Sequence, residues 1–359
     1  MFCQTIRLPF LNHCNNVLTT KSYKLTFLLL LVLLVICFCI SISFGSVSIP
    51  FSDTLSAIFG GDLQKESWGY IIRNYRIPKA ITAILAGGGL ALSGLLMQTL
   101  FRNPLAGPFV LGISSGASLG AAILIMGSSV LSGIITFGIV TNVTLAIASS
   151  AGSFLVLLAV MVVASKVKDT MALLIIGLMF GSITAAIVSV LSYFTDAEQL
   201  QQYIYWSFGS LGNLTWTQLG LLSAIIGLGV SLSIFAIKSL NAFLLGENYA
   251  RSLGVNIKKQ RFLIILATGL LAGSITAFAG PIAFIGLAVP HLTRQIFNTT
   301  NHKILIPAVL LYGAILMLLC DTIAQIPSSA YVLPINAITS IIGAPVVIWL
   351  LVRKKKMVF

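Results

Sequence analysis

Charge is what this sequence has least of. Of its 359 residues only 8% are Asp, Glu, Lys or Arg, where a soluble domain carries about 25%. A surface so poor in charge cannot be solvated by water. With 58% apolar residues and a mean hydropathy of +1.04, the solvent must be lipid. Acids number eight and histidines three. They form no carboxylate pair and no nucleophile–His–acid set, and no GxxxxGK[ST] phosphate cradle is present, which excludes ATP hydrolysis by this chain alone. The apolar runs also lack the Asp, Glu and His chain expected of a proton-driven pump, so uphill transport would draw its energy from a partner.

Metal and redox chemistry are equally thin. Cys3, Cys14, Cys37, Cys39 and Cys320 make no CxxC pair and no Cys/His metal spacing, and read as small apolar residues in helices. His13 and His302 fall in polar stretches. The net charge of +13 comes from 21 Lys and Arg. No soluble basic face exists to hold nucleic acid, so the excess is expected to follow membrane topology.

What the sequence has instead is a series of ten apolar runs, at 25–44, 77–100, 105–127, 142–164, 171–194, 217–237, 262–279, 281–297, 304–320 and 335–352. Each suits a membrane-crossing helix, the shortest only just. The first, preceded by Lys21 and Lys24, exceeds the about 7–15 residues of a cleaved signal core and is read as a retained span. Residues 1–24 are then a polar cytoplasmic extension, 25–353 a single transmembrane domain and 354–359 a basic tail. Loop charge supports the count. With ten spans and the N-terminal extension inside, only Lys65, Arg73, Arg76 and Lys79 of the 21 cations fall outside. The other seventeen lie inside, with both termini. A third span in the charge-free stretch from Asn103 to Ser165 would put Lys166 and Lys168 outside and break the pattern.

Run length argues for an all-α bundle, since barrel strands alternate over about ten residues. Gly177 and Gly181 form a GxxxG, as do Gly269 and Gly273, a spacing that lets helices approach within the subunit. Two segments also look alike. Leu85–Ala86–Gly87 leads to Ala106–Gly107–Pro108, and Leu266–Ala267–Thr268–Gly269 leads to Ala279–Gly280–Pro281. They lie five spans apart, which would make spans two to five and seven to ten an inverted repeat; chance is the competing explanation. The inner loop, 239–258, places Phe243, Leu244, Leu245, Tyr249, Ala250 and Leu253 at near-helical spacing, and Gly246 and a C-capping Gly254 bracket one short helix. A helix of about ten residues is expected, with Glu247 and Arg251 as an i,i+4 pair on another face. It would either lie on the membrane surface or dock into a groove on a soluble domain.

Several motifs occur in order. Arg76-Ile-Pro-Lys, Ala91-Leu-Ser-Gly-Leu-Leu-Met-Gln, Arg102-Asn-Pro-Leu-Ala-Gly-Pro and Leu111-Gly-Ile-Ser-Ser-Gly-Ala come first. Leu245-Gly-Glu-Asn-Tyr-Ala-Arg-Ser-Leu-Gly-Val, Gly280-Pro-Ile-Ala-Phe-Ile-Gly-Leu-Ala-Val-Pro-His and Ile342-Gly-Ala-Pro follow. Across residues 25–353 the chain resembles the permeases of iron–siderophore, haem and vitamin B12 ABC importers. The resemblance implies a multi-pass protein of the plasma (inner) membrane, paired with a second permease, identical or closely homologous. Two ATP-binding ABC subunits would dock on the cytoplasmic side, and a periplasmic or lipid-anchored substrate-binding protein would deliver cargo. The chain itself would hold no cofactor or metal, ATP being used by the partner.

The same resemblance assigns the ATPase-coupling helix to Phe243, Leu244, Leu245, Gly246, Glu247, Ala250, Arg251, Leu253 and Gly254. It makes Arg102, Asn103 and Pro104 a structural turn, and Gly107–Pro108 and Gly280–Pro281 the repeat junctions, with Gly343 and Pro345 as C-terminal motif residues. Pro290 and His291 would shape the end of span eight, His291 as a packed, hydrogen-bonded histidine and not a ligand. The chain departs from the family at Gly107, where an acid is usual, at Gln325, where Arg is usual, and at Asn336, often Gly. The missing Arg removes the expected partner for a salt bridge at Asp321. Two other readings are an ion-driven secondary transporter, which would need ionisable groups inside the spans, and an assembly protein without transport.

Overall fold

The computed structural model describes residues 15–352 apart from 46, 48, 62, 63, 132–140, 168, 169 and 326–330. Among the described residues the chain is almost wholly helical, with an isolated antiparallel bridge between Gln325 and Val332. The first helix, α1 (Asn15–Ser43), begins ahead of the apolar run, so the polar residues from Asn15 continue it. The next helices are α2 (Phe51–Phe59) and α3 (Glu66–Ile71), which passes through a π turn at Ile72–Arg76 into α4 (Ile77–Leu100). A 3-10 turn at Pro108–Leu111 leads to α5 (Ile113–Leu131), α6 (Asn142–Lys166) and α7 (Thr170–Tyr193). Then come α8 (Ala197–Ser207), α9 (Trp216–Phe235), α10 (Ile237–Leu244) and α11 (Glu247–Ser252). α12 (Ile257–Thr268) continues through a second π turn, Gly269–Gly273, into α13 (Ser274–Ala279). The chain closes with α14 (Ile285–Phe297), α15 (His302–Ala324) and α16 (Ile335–Val352).

By length and apolarity seven stretches suit a membrane crossing: Tyr23–Ser43, Glu66–Leu100, Asn142–Ala164, Met171–Tyr193, Trp216–Phe235, Ile257–Ala279 and His302–Ala324. Two shorter apolar helices, Ile113–Gly127 and Ile335–Trp349, and the 13-residue α14 occupy the remaining predicted positions. The eighth span therefore differs from expectation. Thirteen helical residues rise about 20 Å, too little for a hydrocarbon core of about 30 Å. The chain enters α14 through non-helical backbone instead. Gly280 at φ +75° and Phe284 at φ +65° close off regular helix there. Irregular backbone at membrane depth must find its hydrogen bonds inside the protein. Asn336 supplies one, its Oδ1 accepting from the Ala283 N–H at 3.1 Å. That gives a structural role to a position where the sequence departs from the family it resembles.

At the centre stands α4. In the apolar 18-residue window of its stretch 83% of residues are buried, against 17% in that of Met171–Tyr193 at the periphery. Helices in lipid gain nothing from excluding water, so close van der Waals approach holds them, and small residues permit it. Gly87 lies against Gly313 of α15, and Gly94 against the Gly286 carbonyl of α14, where any Cβ would overlap backbone. The predicted repeat is visible in matching contacts. Gly177 of α7 packs on Val110 and Leu111 in the turn before α5, and Gly343 of α16 packs on Phe284 in the turn before α14. α4 crosses onto α15, while Gly269 and Gly273 meet Leu157 and Ser153 of α6. Both GxxxG pairs thus serve packing within the subunit.

Side-chain contacts sort the loops to two ends of the bundle. Arg76 donates to the carbonyls of Ile42, Ser43 and Val47, and Lys79 pairs with Asp321, which gathers the end of α1, the start of α4 and the end of α15. At the opposite end Tyr23 and Phe27 pack on Phe297, and the end of α4 meets α10 and the start of α15.

Candidate functional site

The loop between the sixth and seventh spans folds as two helices. α10 turns straight off α9 and buries Leu240, Ala242 and Phe243. Gly246 at φ +105° stops it, a conformation that a Cβ makes costly, and its carbonyl accepts from the Ala250 N–H at 2.9 Å to start α11. Gly254 at φ +82° ends α11, with N–H bonds from Gly254 to Arg251 O and from Val255 to Ala250 O. The two glycines bracket a short helix, as the sequence indicates. The expected ten-residue helix from Phe243 to Leu253 does not form, because Gly246 divides it and α11 keeps six residues.

The division changes which side chains face outward. Phe243 is 3% exposed and Ala250 fully buried, both against this chain, and Leu244 is half-buried. Leu245, Tyr249 and Leu253 remain 63%, 51% and 57% exposed, an apolar face at the tip. Glu247 pairs with Arg261 of α12 at 2.8 Å instead of with Arg251. Arg261 also donates to the Val167 carbonyl at 3.0 Å, so α11 is fastened to α12 and to the end of α6.

Behind this tip lies a cleft of about 500 Å³ between Leu100–Arg102 and Phe243–Tyr249. Arg102, at φ +48°, stands beside Gly246. Asn103 Oδ1 accepts from the Leu105 N–H at 2.9 Å, which closes the turn through Pro104. Gly107 packs against Leu287 and Phe109, and Pro108 opens the 3-10 turn. A buried histidine locks α10 to this region. His302 Nδ1 lies 2.7 Å from Asn241 Oδ1, and its Nε2 lies 2.9 Å from Thr99 Oγ1. An amide oxygen only accepts, so Nδ1 carries the proton, and Nε2 faces the Thr99 hydroxyl, whose single proton lies between it and the Leu95 carbonyl at 2.8 Å. The His302 backbone N–H also donates to Asn241 Oδ1 at 3.0 Å. His302, whose neighbours in the sequence are polar, is completely buried.

Two further buried polar groups escaped the sequence reading. Arg294, counted there as a loop cation, lies inside α14 and donates to Gln98 Oε1 at 3.0 Å, while Gln98 Nε2 donates to the Leu287 carbonyl at 3.1 Å. A glutamine amid the apolar run of α4 was the available signal. Asp321 has a salt bridge after all: Lys79 Nζ lies 3.0 Å away and takes the place of the missing Arg, and Gln325 donates to the other carboxylate oxygen at 2.8 Å. This pair borders a cavity of about 560 Å³ at the α2–α3 end. Pro290 is buried within α14 and Pro345 lies within α16, while His291 is half-buried. Pro281 follows Gly280, which packs on Gly209 and the Trp206 carbonyl. No cluster of three or more potential metal ligands exists among the described residues.

A polytopic helical bundle with matching contacts in its two halves and an exposed short helix at one end fits a membrane permease. The chain belongs to the FecCD transport family, which it matches over residues 33–353. It is 36% identical over 282 residues to vitamin B12 import system permease proteins BtuC of Salmonella paratyphi A and Salmonella typhi, covering 78% of this chain and 83% of theirs. A solved structure described as an inward-facing conformation of a metal-chelate type ABC transporter is 31% identical. It superposes with a TM-score of 0.77 over 93% of this chain and 100% of that one. The protein is the multi-pass permease of an ABC importer.

Proposed function

We propose that the chain forms the translocation path for a bulky metal chelate of the corrinoid, haem or siderophore class, powered by separate ATP-binding subunits. The similarity to vitamin B12 import permeases over most of both chains carries this reading. The α10–α11 end is cytoplasmic, because it collects Lys166, Lys238, Arg251, Lys258, Lys259 and Lys303. The exposed face of Leu245, Tyr249 and Leu253 docks into a groove of the ATPase, the helix-in-groove mode of recognition. Motion of that helix reaches the bundle through the Glu247–Arg261 pair and the Asn241–His302–Thr99 bonds. The poorly buried α7, with Met171, Ile175, Met179 and Ile183 exposed, faces the second permease. The opposite end receives the binding protein.

The test is uptake into proteoliposomes that hold the chain with its ATPase and a delivered panel of cobalamin, haem and ferric siderophore. ATP-dependent uptake of one of them is expected, with no ATP turnover by the chain alone. Uptake driven by an ion gradient without ATP would make it a secondary transporter.

A further inference from the structure

A third cavity, of about 400 Å³, opens where α6 ends and α12 begins. Its two walls differ in kind. The inner wall is apolar, built by Met161, Ala164, Phe262 and Ile265 of the two spans, and Phe262 stands 51% exposed. The lip carries Lys166, Arg251, Lys258 and Lys259, which make no ion pair among the described residues. The acid on the lip, Glu247, is engaged by Arg261. The lip also surrounds the first turn of α12, where the helix dipole adds positive potential and Asn256 Oδ1 caps the Lys259 N–H at 3.1 Å.

We infer that this cavity binds the headgroup of an anionic phospholipid, with the upper part of one acyl chain along the apolar wall. The inference rests on the cytoplasmic placement of this end argued above. Four cations with no acid paired to them among the described residues call for an anion. A soluble phosphate or a partner's carboxylate would need only the lip. The apolar wall, which runs a turn or more into both spans, fits an amphiphile held at the boundary of the hydrocarbon, and basic pockets between helices at the cytoplasmic face suit such headgroups. A bound lipid would bridge α6 and α12, and through Arg251 would touch the helix that carries the coupling face.

Native mass spectrometry of the full chain in detergent, after equilibration with mixed phosphatidylcholine and phosphatidylglycerol, reads the site directly. The parent should retain phosphatidylglycerol in preference to phosphatidylcholine and melt at a higher temperature in its presence. The Lys166→Gln/Lys259→Gln double variant should lose retained phosphatidylglycerol by about ten-fold or more and lose that thermal shift, each cation near an anionic headgroup contributing measurably. Both side chains are exposed, so the variant's melting temperature without the lipid should match the parent's. Lys303→Gln, at the same end but outside the cavity, should change nothing. Equal retention by the double variant would overturn the assignment. So would displacement of the lipid by millimolar orthophosphate, which would mark a soluble-anion site, or loss of copurifying ATPase with lipid retention intact, which would mark a protein contact. Neither ATP nor substrate enters the lipid measurement, so its result stands apart from the uptake result.

Discussion

Asn241 makes three hydrogen bonds with one side chain: its oxygen takes both the backbone and the ring N–H of His302, and its amide donates to Asn301 at 3.3 Å. Asn241→Ala would strand two buried donors, at about 1–3 kcal/mol for an unsatisfied group. The expected result is a lower melting temperature together with a higher ratio of ATP hydrolysed to substrate moved, since α10 would no longer move with α4 and α15. An unchanged ratio would confine His302 to a structural role. Asp321→Asn leaves Lys79 without its countercharge and should destabilise by up to about 3 kcal/mol, less to the extent that water reaches the 19%-exposed lysine. The Lys79→Met/Asp321→Leu pair should recover most of that loss in a thermal melt. Neither arrangement was legible in the sequence. Lys79 and Asp321 lie at opposite ends of the chain order, and the polar neighbours of His302 hid its burial, because local composition cannot report which distant helix covers a side chain.

At the scale of elements, packing rather than polarity sets the tolerances. Gly94→Ala would push a methyl into the Gly286 carbonyl, an overpacking of about 1–3 kcal/mol or more. Gly220→Ala in α9 meets nothing within 4 Å and should be neutral or slightly stabilising, because alanine favours helix. Melting temperatures of the two variants test that contrast. In the coupling loop, Leu245→Asp and Tyr249→Asp should abolish ATPase copurification and leave the bundle's melting temperature unchanged. Ala250→Asp should instead lower the melting temperature, since that side chain is enclosed by its own subunit. The elements themselves were largely readable: apolar runs marked the spans, and Gly246 and Gly254 marked the ends of α11. The helix was expected to start at Phe243 because near-helical spacing continues across Gly246, and spacing does not record the positive φ that breaks it. The short α14 was missed for a related reason, since apolar residues 281–284 look the same whether helical or looped.

For the whole molecule, topology is the first thing to test. Single cysteines introduced at positions 200 and 331 should react with an impermeant thiol reagent from outside, and those at the exposed positions 258 and 303 only after the membrane is opened. Reversal at any two would invert the bundle and with it the assignment of the coupling end. The central place of α4 has a further consequence, in time rather than space. Its Gln98 and Thr99 bond to Leu287, Arg294 and His302, some 190–200 residues later in the chain. At about 5–20 residues per second, a ribosome makes α4 roughly 10–40 s before those partners emerge. Through that interval a glycine-rich helix waits among lipids with its contact stripe unfilled and Gln98 without its bonding groups. A chain stopped after Ala279 would prolong the wait indefinitely. It should be cleared by membrane proteases faster than the full chain in a pulse–chase, although the helices it does contain are complete.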